Sequence, residues 1–73
     1  MQRLKFHPRD ALPNHTALAR GDALYMELTG LPREQLGAAL AGLRAALETQ
    51  TPALIEPARE RLVSVTEALR QHA

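Results

Sequence analysis

The chain has 73 residues, 45% of them hydrophobic and 23% charged, with a net charge of +1 and no cysteine. So short a chain buries only roughly 60 to 65% of the surface its unfolded form exposes, which restricts it to one core and one domain. The composition excludes a disulfide scaffold and a thiolate metal centre; with no run of about 18 apolar residues and no signal-type apolar start, a soluble protein in a bacterial or viral cytoplasmic context is expected.

Charge is unevenly placed. Residues 1–20 hold Arg3, Lys5, Arg9 and Arg20 against Asp10, whereas residues 21–73 hold five arginines against seven acids. The result is a basic head on a mildly acidic body, the kind of asymmetry that marks an interaction arm. Within MQRLKFHPR the cations alternate with Leu4 and Phe6, no helical period is present, and Pro8 and Pro13 oppose helix extension. Residues 1–13 are therefore expected to form an extended or flexible basic arm, and residues 14–73 a helical domain.

Asn14 is the expected N-cap of a first helix near 15–29, with Ala17, Leu18, Leu24, Tyr25 and Leu28 on its apolar face. Gly21-Asp22 interrupts that pattern, and a break or bend is expected there because an internal glycine costs about 1 kcal/mol relative to alanine. Gly30 is expected to close this helix in a left-handed conformation. Pro32 then opens a second helix near 32–48, where Leu36, Leu40, Leu43 and Leu47 recur at i, i+4, i+7 and i+11. A third begins with Thr51 as N-cap and Pro52 as first residue, or beyond Pro57, and runs to about 71 with Ala58, Leu62, Val65 and Leu69 at the same spacing. Pro57 predicts a kink or a separate short turn. The fold class expected is all-α, a bundle of three or four helices.

Chemistry-bearing patterns are few. His7, His15 and His72 are scattered, so no metal site is expected; no nucleophile, base and carboxylate recur at a recognisable spacing, so neither catalysis nor a cofactor nor a small-molecule substrate is expected. LYMELTGLPREQLGAAL, residues 24–40, has the outline of a helix-turn-helix, with Leu31 pinning the turn. Its outward donors would be Arg33, Gln35 and Arg44, but Glu34 would face phosphate with the wrong sign, and direct nucleic-acid binding is the secondary reading. The small-residue series Gly37, Ala41, Ala45 and Ala38, Gly42, Ala46 admit a closely packed neighbouring helix, either within the chain or from a partner; a monomer is favoured. Arg3, Leu4, Lys5, Phe6, His7 and Arg9 remain as a strip that pairs an apolar anchor with cations, the composition favoured at protein interfaces.

With its length, its Arg-rich and Lys-poor composition and the segment MQRLKFHPR, the chain resembles the small RNA polymerase-binding transcription regulators of lytic Xanthomonas phages. The resemblance implies a non-enzymatic protein that binds bacterial RNA polymerase, blocks initiation by interfering with sigma factor, and can act as an antiterminator. It also implies that the contact falls on Arg3 to Arg9.

Overall fold

The computed structural model describes residues 7–71. Three helices, α1 (Leu12–Tyr25), α2 (Gly30–Thr49) and α3 (Pro52–Gln71), follow a single 3-10 turn over Pro8–Asp10, and no strand is present among the described residues. The chain is an all-α three-helix bundle. None of these helices is long and apolar enough to cross a membrane. Four of the five prolines open a helical segment: Pro8 leads the 3-10 turn, and Pro13, Pro32 and Pro52 lie within the first three residues of their helices. Their missing N–H groups cost nothing there, because those donors lie before the first intrahelical bonds.

The start of α1 differs from the sequence expectation. The helix begins at Leu12, with Ala11 in the cap position and extended backbone, so Pro13 initiates rather than blocks it and the basic segment ends short of residue 13. Asn14 consequently lies inside the helix and is buried, and caps nothing. Gly21 does not break the helix either. A Cβ built there would lie 2.8 Å from Leu40 Cδ2 and 3.3 Å from Leu62 Cδ1, so its lack of a side chain is what lets α1 settle onto α2 and α3. Gly37 does the same from α2, where a Cβ would lie 3.1 Å from Tyr25 Cε1. Gly42, in the other small-residue series, meets nothing within 4 Å.

The turns also differ in detail. α1 ends at Tyr25 and is closed by Met26, whose N–H donates to the Asp22 carbonyl, followed by a turn in which Glu27 N–H donates to Leu24 O at 2.9 Å. Gly30 is left-handed as expected, with φ of 68°, but it opens α2 instead of closing α1. Leu31 does not pin the turn; it is 65% exposed, and the half-buried Leu28 packs on the core instead. Between α2 and α3 only Gln50 and Thr51 intervene, with Gln50 in the left-handed region at φ of 55°. Thr51 provides the carbonyl that accepts the first bonds of α3, from Leu54 and Ile55 N–H, while its hydroxyl turns back to Thr49 O. α3 runs through Pro57 as one continuous helix.

Helix direction follows from who meets whom. Asn14 bonds Arg59 near the starts of α1 and α3, and Arg20, Leu24 and Arg70 share a groove toward their ends, so α1 and α3 run parallel. Gly21 against Leu40 and Tyr25 against Gly37 set α2 antiparallel to both. Leu36, Leu43, Leu47 and Leu62 are the largest fully buried side chains, joined by Ala17, Leu24, Ala39, Leu40 and Ile55. The α2 stripe read from the sequence is thus the middle of the core. On α3 the buried line is Ile55, Leu62 and Thr66, with Ala58, Val65 and Leu69 half-buried beside it.

Candidate protein-binding surface

Of the strip expected to contact a partner, Arg3, Leu4, Lys5 and Phe6 lie outside the described residues. His7 and Arg9 are described. His7 is half-buried and caps the 3-10 turn, its Nδ1 accepting from the Arg9 N–H at 3.1 Å, and Arg9 is exposed.

The root of this strip is fastened to the bundle by a buried polar relay. Asn14 Nδ2 donates to the Pro8 carbonyl at 2.9 Å, and Asn14 Oδ1 accepts from Arg59 Nη1 on α3, also at 2.9 Å. Asn14 is 5% exposed. A buried amide is stable only when both its ends are satisfied, and here one end holds the turn and the other holds α3. A bond to a charged donor contributes roughly 1.5 to 3 kcal/mol, more than a neutral pair. Residues 8–10 also pack on α2 as well as α1. The 3-10 turn over Pro8–Asp10 is therefore held to the helical body at Pro8.

The three outward donors considered for DNA are not brought together as a reading set. Arg44 Nη2 donates to both carboxylate oxygens of Asp22, at 2.9 and 2.7 Å, bridging α2 to α1. The guanidinium of Arg33 lies over the Tyr25 ring, 4.4 Å from its centroid, the geometry of a cation–π contact. Gln35 is exposed on the other side of α2, in a groove shared with Leu31, Arg61 and Leu69. Both arginines are thus engaged in holding α2 to α1. Among the described residues, no three histidines or carboxylates converge as metal ligands.

No family model, curated protein or solved structure matches the chain.

A feature that the sequence reading did not single out lies on α1. Its core line is Asn14, Ala17, Gly21 and Leu24, all buried. The positions diametrically opposite, Leu12, Thr16, Ala19, Ala23 and Met26, are spaced 4, 3, 4, 3 and carry no charge. Leu12 is 74% and Met26 80% exposed, the two most exposed large apolar side chains among the described residues. α1 is apolar on two faces, and only one of them is covered. Next to the outer face, α1 and α3 enclose a groove of about 300 Å³ lined by Leu12, Thr16, Arg20, Val63, Thr66 and Glu67 among others.

Proposed function

We propose that this protein is a non-enzymatic regulator that binds a larger protein through its basic N-terminal segment, and that the partner is bacterial RNA polymerase. The observation that carries the protein-binding reading is the Asn14 relay, which holds Pro8 to the body and to Arg59 of α3. Cations and apolar anchors that emerge from a rigid root lose less freedom on binding than the same residues on a loose tail, so more of their contact energy appears as affinity. The identity of the partner rests on the resemblance of size, composition and the MQRLKFHPR segment. Mechanistically, the segment engages an acidic and apolar patch on polymerase while the helical body occupies space that sigma factor needs; retention on the elongating enzyme would account for antitermination.

The test is binding to purified polymerase, with and without sigma factor. Removing residues 1–6 spares Pro8 and its bond to Asn14, so the helical circular-dichroism signal stays and binding is lost. Phe6→Ala weakens binding more than Arg3→Ala, as for an apolar anchor against a peripheral charge. Full-affinity binding by the truncated chain would refute the role of the segment, and no binding by the intact chain would refute the choice of partner. The duplex-DNA reading is disfavoured because Arg33 and Arg44 would have to leave Tyr25 and Asp22 to reach base edges.

A further inference from the structure

Independently of what the basic segment contacts, we propose that the outer face of α1 is a self-association surface on which a second copy of this chain docks antiparallel about a two-fold axis near Ala19. The seam from Leu12 to Met26 spans about 21 Å at 1.5 Å per residue, four turns of uncharged surface. Its spacing of 4, 3, 4, 3 is that of a coiled-coil contact line.

Two observations select a second copy as the occupant. The first is the order of sizes along the seam: large at both ends (Leu12, Met26) and small in the middle (Thr16, Ala19, Ala23). Turned end for end, the seam fits itself, since Leu12 of one copy meets Met26 of the other while the alanines let the two helix axes approach closely. The second is charge. Arg20 and Glu67 flank the adjoining groove at the level of Ala19, and no ion pair joins them among the described residues. A two-fold at this level sets Arg20 of each copy toward Glu67 of the other, so both pairs form at once, as a self-complementary interface requires. The proposed dimer is a reversible one, because a seam of this length lies at the small end of specific interfaces; the sequence reading favoured a monomer, and the proposal departs from it.

Sedimentation of the purified full chain, from micromolar to millimolar, tests the proposal without polymerase. The weight-average mass should rise with concentration toward twice the 8.0 kDa of one chain. Ala19→Glu and Ala23→Glu, at exposed helical positions that glutamate suits, should each weaken association about tenfold or more with unchanged helix content: the first sets like charges face to face across the two-fold, and the second puts a carboxylate against Thr16 of the other copy in the uncharged seam. Arg20→Glu and Glu67→Arg should each weaken it too, and mixing the two single variants should restore it, since both cross-pairs are attractive in the mixed dimer. A mass that stays at 8.0 kDa throughout the range, or self-association unmoved by the alanine substitutions, would overturn the proposal and leave the seam to a different protein.

Discussion

Asn14 shows how one residue's role depends on a neighbour one position away. Asparagine before an apolar run is a sound N-cap signal, but Pro13 carries a start signal of the same kind as Pro52, and once the helix begins at Leu12 the amide is drawn inside. There it becomes the acceptor for Arg59 and the donor to Pro8. Asn14→Ala removes both bonds and leaves a guanidinium without its acceptor, so it should cost about 2 kcal/mol. For a domain of this size that corresponds to a fall in melting temperature of roughly 10 °C, readable by thermal circular dichroism. A change below 2 °C would show that water replaces the amide without loss. Gly21 was equally open to misreading from composition, because a glycine kept for close approach and a glycine that breaks a helix look alike until the facing residues, here Leu40 and Leu62, are known.

At the scale of elements, the two 20-residue helices were legible because each carries a single apolar face at i, i+4, i+7 and i+11. α1 was read less well for a physical reason: with apolar residues on opposite sides, its periodicity does not say which side faces inward. The sequence names its buried residues correctly at Ala17 and Leu24, yet the exposed line from Leu12 to Met26 emerges only when the core is known. In α3 the separate turn before Pro57 that the sequence allowed is absent, the helix being continuous from Pro52 to Gln71. The rest of the helix is held by Ile55 and Leu62 in the core, and Pro57 is exposed, so its ring is tolerated at the loss of one backbone bond. Pro57→Ala should then stabilise the protein by about 2 kcal/mol, the helix-interior gain of roughly 3 less the entropy that proline removes from the unfolded chain. Chemical denaturation with an unchanged slope would measure it; a destabilised variant would mean that the proline ring packs usefully.

For the whole molecule, fold class and core were readable from leucine spacing, whereas the proposed binding surface was readable only in part. The basic strip is visible as composition; its fastening is not, since it joins residues 45 positions apart. α2 packs most closely with α3, and α1 has fewer neighbours in α2 than in α3. Removing residues 52–73 should therefore leave no stable hairpin of α1 and α2: the expected outcome is loss of cooperative melting and of most helical signal. A truncated chain that still melts cooperatively would show that α2 carries α1 alone.

The Asn14 to Arg59 bond also sets an order of events during synthesis. Pro8 and Asn14 are made before α3, but the residue that completes their fastening belongs to α3. Until α3 has emerged and docked, the Asn14 amide lacks its charged donor; once it docks, both ends of the amide are satisfied. A chain interrupted before Arg59 would carry Pro8 and Asn14 and still lack the relay between them and α3, so the fastening of the 3-10 turn depends on completion of the helical body.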